Sequence, residues 1–315
     1  MADSPVFPAR PLRLGTRNSP LAMAQAHETR DRLCAAHGWS QDAITLVPVV
    51  AGGDKVLDRP LAEIGGKALW TKELDGWLYH GEIDLAVHSC KDVETIRPDW
   101  LTIAAFLPRE DVRDALVGAA SIADLPPGAR IGTCAPRRAA QMLHARPDLT
   151  IVPFRGNVAT RLGKLAAGEA DATLLALAGL NRLDNAAVGT ALDADVWLPA
   201  PAQGAIAIEC RSDDAATRAL LAAIDDTPTR AAVLAERALL AALGGNCHSA
   251  IAVHTVADGD TMTLRARLFS PDGADMVEGS AQVTGPDHAP VSALAADLLA
   301  RAPVSITRHF APPSA

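Results

Sequence analysis

Short apolar runs of strand length alternate with longer helical stretches through the first two hundred residues. The run Leu12-Arg13-Leu14-Gly15-Thr16-Arg17 is echoed by Ala129-Arg130-Ile131-Gly132-Thr133-Cys134. Both end at or just past a Gly-Thr pair, and both lead into an Ala-rich stretch. Further on, Gly81-Glu82-Ile83-Asp84-Leu85-Ala86 is echoed by Gly168-Glu169-Ala170-Asp171-Ala172-Thr173. Each copy follows a helical pattern, at about 69–80 and about 158–167. The glycine supplies a left-handed stop, and a buried strand comes next. Strand, helix and strand in alternation predict parallel α/β sheets, and two copies predict two similar α/β domains. Chance similarity of short Gly- and Asp-containing strings is the competing account.

The last ninety residues have a different rhythm. Residues 227–243 read as an almost continuously apolar helix closed by Gly244-Gly245. Alternating strands follow at 250–256, 262–269 and about 275–283, with Asp258-Gly259 and Asp272-Gly273 as turns. A helix near 291–301 completes a small α+β domain. The charged segment 109–114 and the Pro-rich segment 199–203 are suited to two crossings between lobes, with a ligand held in the cleft.

Composition narrows the class. A 315-residue chain is long for one core. Its 49% hydrophobic content and 22 dispersed prolines describe a compact protein, and no apolar run approaches membrane-span length. Residues 1–11 carry three prolines and no apolar core, and so read as a loose tail, not a signal peptide. The cysteines (Cys34, Cys90, Cys134, Cys210, Cys247) are scattered and contain no C-x-x-C. That points away from a disulfide framework or a zinc site and toward a reducing, cytoplasmic setting. A net charge of -8 argues against nucleic acid as a partner.

Against that acidic balance, Arg137, Arg138, Arg155, Arg161 and Arg182 crowd one stretch, and Arg17 stands near the start. With only five lysines in the chain, an arginine-favouring genome explains the count but not the positions. Arg17 follows the first strand and Arg137 and Arg138 follow the Gly132-Thr133 strand. Arg155 follows the 150–154 strand, Arg161 begins the next helix, and Arg182 follows the 173–177 strand. In α/β sheets that rim is where ligands bind. Guanidinium forks there suit a polycarboxylate or a phosphate. The strand 84–87 ends in His88-Ser89-Cys90-Lys91-Asp92, a loop offering a hydroxyl, an ammonium and a carboxylate. An acid among cations stays ionised. A solvated loop with a Lys91–Asp92 pair is the plainer reading, and His88 reads as a packing residue. The glycine-rich segment 51–66 reads as a flap and lacks P-loop spacing. Cys247, after Gly244-Gly245-Asn246, is by default a structural thiol.

Taken together, the strings resemble the porphobilinogen deaminase (hydroxymethylbilane synthase) family. They are Gly-Thr-Arg-Asn-Ser-Pro-Leu-Ala (15–22), Gly-Gly-Lys-Ala-Leu-Trp-Thr-Lys-Glu-Leu (65–74), Asp-Leu-Ala-Val-His-Ser-Cys-Lys-Asp-Val (84–93), Arg-Glu-Asp-Val-Arg-Asp-Ala (109–115), Arg-Gly-Asn-Val-Ala-Thr-Arg-Leu (155–162), Ala-Gly-Leu-Asn-Arg-Leu (178–183) and Pro-Ala-Gln-Gly-Ala-Ile (201–206). Glu236-Arg237-Ala238 and Gly-Gly-Asn-Cys (244–247) follow in order, so the resemblance runs from about residue 13 to 301.

The resemblance implies an α/β fold: two periplasmic-binding-protein-like lobes plus a small α+β C-terminal domain. The implied domains are 1–107 with 206–222, 111–199, and 227–315, the last carrying the cofactor cysteine. It implies a transferase that joins four porphobilinogens head to tail into hydroxymethylbilane with release of ammonia, in tetrapyrrole biosynthesis. It further implies a dipyrromethane cofactor on Cys247, Asp92 as the catalytic carboxylate, and a monomer acting on porphobilinogen and the growing polypyrrole chain, with no nucleic-acid or membrane partner. The implied binding set is Arg17, Ser19, Lys67, Ser89, Lys91, Thr133, Arg137, Arg138, Arg155, Asn157, Arg161, Arg182 and Gln203. The chain departs from the family at Cys134 and Ala135, where two serines are usual, at Asn246 in place of a glycine, and at Ala51-Gly52. The competing class is a non-catalytic two-lobed polycarboxylate-binding or sensor protein. A third is a structural or regulatory relative without the cofactor.

Overall fold

The computed structural model describes residues 10–50, 71–246 and 249–310. These divide into two compact units. One comprises 10–50, 71–109 and 205–230; the other comprises 110–204, 231–246 and 249–310.

In the first unit, strand β1 (Leu12–Arg17) enters helix α1 (Pro20–His37) and returns as β2 (Ile44–Val49), parallel to β1. Ser19, two residues past the strand, caps the helix, with Pro20 at the first helical position, where its missing N–H costs nothing. Gly38 stops α1 with φ +68°. Helix α2 (Lys72–Tyr79) leads to β3 (Leu85–Ser89), parallel to β1 on its other side. Strand β4 (Leu101–Phe106) follows, but it does not pair with β3. A strand that arrives about a hundred residues later, β10 (Ile206–Arg211), inserts between them, antiparallel to both. The order is β2-β1-β3-β10-β4. Both faces of the sheet are covered. Leu14, Leu85, Val87 and Ile208 join Ala26 and Leu33 of α1 on one side, and Ile83, Ala86 and Leu101 meet Leu74 and Leu78 of α2 on the other. Each fully buried leucine or isoleucine contributes about 1.5–3 kcal/mol.

The second unit repeats this winding. Strands β5 (Asp114–Val117), β6 (Arg130–Gly132), β7 (Thr150–Val152), β8 (Ala172–Ala176) and β9 (Thr190–Ala191) lie in the order β7-β6-β8-β5-β9. Again the first three are parallel and the fourth is antiparallel. Helices α3 (Pro136–Ala145), α4 (Val158–Ala166) and α5 (Leu177–Asn181) complete it. The echoed Gly-Thr pairs therefore mark equivalent strands, and their glycines have a steric reason. A methyl on Gly15 would run into Ile83 Cδ1, and one on Gly132 into the Phe154 ring.

Helix α7 (Thr227–Ala242) follows α6 (Ala215–Ala222) in the chain; from residue 231 on it belongs to the second unit, whose remainder is a three-stranded antiparallel sheet. Its strands are β11 (Ile251–Asp258), β12 (Thr261–Phe269) and β13 (Met276–Thr284), followed by α8 (Ala289–Arg301) and α9 (Val304–Thr307). Ala235 and Leu239 of α7 and Leu294 and Leu298 of α8 pack on Val253, Leu264 and Ala266. The fold is mixed α/β: two similarly wound five-stranded α/β sheets and a small C-terminal three-stranded sheet. Expected strand and helix positions are met to within a few residues. The notable difference is at 173–177, where β8 ends at Ala176 and helix α5 intervenes before Arg182.

Candidate active site

In the first unit, β1 and β3 end side by side, and the N-terminus of α1 opens between them. Arg17 closes β1. Ser19 accepts a hydrogen bond from the Ala22 N–H at 3.4 Å. Ser89 at the end of β3 is held by Gln25, one and a half turns into α1: Gln25 Nε2 donates to Ser89 Oγ at 2.9 Å, and Ser89 Oγ lies 3.2 Å from Gln25 Oε1. A single 3-10 turn, Cys90–Asp92, then carries the carboxylate over the strand end. These residues, with Thr71, line one polar pocket. Asp92 is half-buried, and among the described residues its carboxylate has no hydrogen-bond or ion-pair partner. Its oxygens are open to an N–H donor in the pocket that it shares with Arg17 and the first turn of α1.

His88, on the opposite face of β3, is buried, and its Nε2 lies 3.2 Å from Glu209 Oε2, off the line of a hydrogen bond. Burial opposes ionisation of Glu209, but His88 and Arg97 outweigh it and hold that carboxyl down at about 2.

In the second unit, the expected residues fall into two groups. Around Cys134, burial raises the thiol, opposed by the charges of Arg161, Arg155 and Lys164, in that order. Arg161 Nε donates to the Gly156 carbonyl at 3.0 Å. Asn157 caps α4, its Oδ1 accepting from Thr160 N at 2.9 Å and Thr160 Oγ1 at 3.0 Å. Thr133 Oγ1 accepts from Ala135 N at 3.1 Å. Ala135 is the cap position of α3 and offers no side-chain acceptor. Arg182 Nη2 reaches the Gly204 carbonyl at 3.1 Å.

The second group turns inward. Arg137 and Arg138, 4% and 5% exposed, both pair with Asp114, which is 0% exposed. Arg137 Nη2 is 2.8 Å from Oδ2 and Arg138 Nη2 2.7 Å from Oδ1. Trp197 Nε1 and Gln203 Nε2 add donors at 2.9 Å each. The Asp114 carboxyl is held far below the ordinary range: burial opposes this, and Arg137 and Arg138 together outweigh it. The carboxylate that these two arginines hold here is thus internal, although Arg137 Nε is buried with no partner.

The structure therefore gathers Arg17, Ser19, Ser89 and Asp92 at one pocket, with Lys91 on the same turn. It gathers Thr133, Arg155, Asn157 and Arg161 near Cys134, and Arg137, Arg138 and Gln203 at Asp114. Lys67, Cys247 and the expected 51–66 flap lie outside the described residues. Gln25, Asp114 and Lys164 were not anticipated. Gln25 was detectable as a polar residue on an otherwise apolar face of α1, and Lys164 as the next turn of the polar face that Thr160 and Arg161 begin; Asp114 had no local signal.

Residues 12–219 match the model of the porphobilinogen deaminase dipyromethane cofactor binding domain, and residues 230–299 match the porphobilinogen deaminase C-terminal domain. The chain belongs to the porphobilinogen deaminase family. The porphobilinogen deaminase of Sphingopyxis alaskensis is 58% identical over 96% of this chain and 98% of its own. That of Paracoccus denitrificans is 52% identical over 94% and 96%. The chloroplastic porphobilinogen deaminase of Oryza sativa subsp. japonica is 50% identical over 87% and 78%. Among solved structures, the Bordetella pertussis BvgS periplasmic VFT2 domain aligns over 73% of this chain and 99% of its own, at 16% identity and a TM-score of 0.39. That likeness is too loose to bear on function.

Proposed function

We propose that this chain is a hydroxymethylbilane synthase that joins four porphobilinogens head to tail, releasing one ammonia at each addition, with Asp92 as the catalytic carboxylate. Membership of the porphobilinogen deaminase family makes it a transferase of tetrapyrrole biosynthesis with a dipyrromethane cofactor. The observation that carries the role of Asp92 is its carboxylate at the end of β3, without a partner among the described residues, beside Arg17 and the N-terminus of α1.

The donor set fits a dipyrromethane, whose pyrroles carry acetate and propionate groups and N–H donors. Arg17, Ser19 and the first turn of α1 bind carboxylates in one unit. Arg155, Arg161 and Lys164 form a cationic cluster of their own around Cys134 in the second unit. When bound, the cofactor supplies the free pyrrole α-carbon on which the chain is built. As the substrate's aminomethyl group leaves as ammonia, positive charge develops on its pyrrole ring. Asp92, a carboxylate able to accept the pyrrole N–H, stabilises that charge. The Gln25–Ser89 bond orients the hydroxyl beside it. Cys247 is the attachment residue in this reading.

The three-way division into 1–107 with 206–222, 111–199 and 227–315 belongs to the same proposal, each part carrying a sheet of its own. So does a cytoplasmic monomer with no nucleic-acid or membrane partner. It is supported by the free thiols at Cys34, Cys90, Cys134 and Cys210 and by the net charge of -8. No described helix is long and apolar enough to cross a membrane.

Intact mass with peptide mapping around Cys247 tests the assignment. A covalent dipyrrole on that peptide is the expected result. An unmodified Cys247 in protein that porphobilinogen fails to load would overturn it in favour of a polycarboxylate binder.

A further inference from the structure

Among the described residues the Asp92 carboxylate has no partner, and its position there follows the backbone of the loop that carries it. That loop runs from Ser89 to Pro98 and has an anchor in the interior. The Arg97 side chain, 9% exposed, forks onto Glu209 of β10: Nε to Oε1 at 2.8 Å and Nη2 to Oε2 at 3.0 Å. Glu209 is fully buried on the inserted strand between β3 and β4. The same guanidinium reaches Asp75 Oδ1 of α2 at 2.6 Å and Glu94 Oε2 at 2.5 Å. Glu94 stands two residues beyond Asp92, and its carboxylate accepts from Thr71 Oγ1 at 3.0 and 3.1 Å. Thr71 in turn lines the pocket that holds Asp92. An unbroken polar chain therefore runs from the sheet interior through Arg97 and Glu94 to the pocket wall.

We propose that Arg97, acting through Glu94 and Thr71, is a positioning residue that sets where Asp92 stands in the pocket; this rests on the reading of Asp92 as the catalytic carboxylate. One guanidinium meets three carboxylates here, from α2, the loop and β10, using all of its nitrogens. A lysine would keep the charge and lose the fork, so it cannot brace three elements at once. Arg97 and the buried Glu209 also stabilise the fold. Thr71 lies on the pocket side of this anchor, its hydroxyl donating to the Glu94 carboxylate with Arg97 Nη1 3.5 Å away, so comparing kcat with melting temperature tests the Glu94–Thr71 link apart from the Arg97–Glu209 core.

Glu94→Ala and Glu94→Gln separate the two roles, with Arg97→Lys as the stronger perturbation. Positioning losses of this kind run from about tenfold to a hundredfold in rate. In Glu94→Ala, kcat is expected to fall about tenfold while KM stays within about twofold. Melting temperature and the cofactor mass on the protein should match wild type. Glu94→Gln keeps an acceptor for both Thr71 and Arg97 and is expected to restore most of kcat. Arg97→Lys is expected to lose about a hundredfold in kcat at full cofactor loading. Wild-type kcat in Glu94→Ala, a loss confined to KM, or failure of glutamine to rescue would overturn the proposal. If Asp92→Asn itself leaves kcat intact, the reading of Asp92 falls and takes this one with it. If kcat depends on Asp92 but is indifferent to Glu94 and Arg97, the positioning role alone is lost.

Discussion

Replacing Asp114 by asparagine removes one charge from a fully buried site and leaves two guanidiniums facing each other. In the native chain the carboxylate lies 2.8 Å from Arg137 and 2.7 Å from Arg138, and it also accepts from Trp197 and Gln203. Asparagine keeps one oxygen and puts an NH2 in place of the other, so it loses the charge and also one of the two acceptors that serve Trp197 (at Oδ2) and Gln203 (at Oδ1). Breaking a buried pair by deleting one partner costs about 3–5 kcal/mol. That is a large share of a typical stability of about 5–15 kcal/mol. At about 2–4 °C per kcal/mol for a unit of this size, the melting temperature should fall by about 6–20 °C. The pH dependence carries a second signature. The folded carboxyl titrates below its unfolded value of about 3.9. Its contribution is thus complete above that value and is lost as pH falls toward the folded pKa. Thermal melts of wild type and Asp114→Asn should therefore differ by a constant gap above about pH 5, and the gap should begin to close below about pH 4. A gap under about 2 °C at pH 7, or one that persists unchanged to pH 3, would refute the argument that this carboxylate compensates the arginine pair.

Two shorter tests address the pocket and the departure from the family pattern. Asp92→Asn should lower kcat by about 10²–10³ with little change in melting temperature, because the carboxylate stabilises developing charge and has no described partner to lose; steady-state kinetics beside a thermal melt checks both halves. Ala135→Ser places an acceptor at the uncapped start of α3 and should stabilise the protein by about 1 kcal/mol, read as a melting temperature raised by about 2–4 °C. A KM unchanged in the same variant would show that the missing hydroxyl is a helix cap here and not a ligand contact.

The sequence exposed what is local and left hidden what depends on distant partners. Echoed Gly-Thr and Gly-Glu-x-Asp strings located equivalent strands in both lobes, because a tight steric approach and a helix stop each leave a mark within a few residues. The pocket residues Arg17, Ser19, Ser89 and Asp92 were legible for the same reason: each sits at a strand end or on the turn just after one. Arg137 and Arg138 were legible as arginines at a rim but not as partners of Asp114. Nothing within a dozen residues of Asp114 announces that two guanidiniums, an indole and an amide will converge on it. Arg97 was passed over because it stands in a loop, and its meaning comes from Glu209, on a strand more than a hundred positions away. The return of 206–222 to the first lobe was implied only by the family resemblance, and the place of β10 between β3 and β4 was invisible, since register across such a span is decided by burial on both faces.

That inserted strand sets the order in which the nascent chain can fold. The sheet of the first lobe lacks its fourth strand until β10 has left the ribosome, whereas the second lobe's sheet is complete within a continuous stretch of chain. About a hundred residues separate β4 from β10, a delay of roughly 5–20 s at ordinary synthesis rates of 5–20 residues per second. During that interval β3 presents an unpaired edge in a half-built sheet. The first lobe to be made is therefore the last to close, and through those seconds it is the part of the chain most in need of a chaperone.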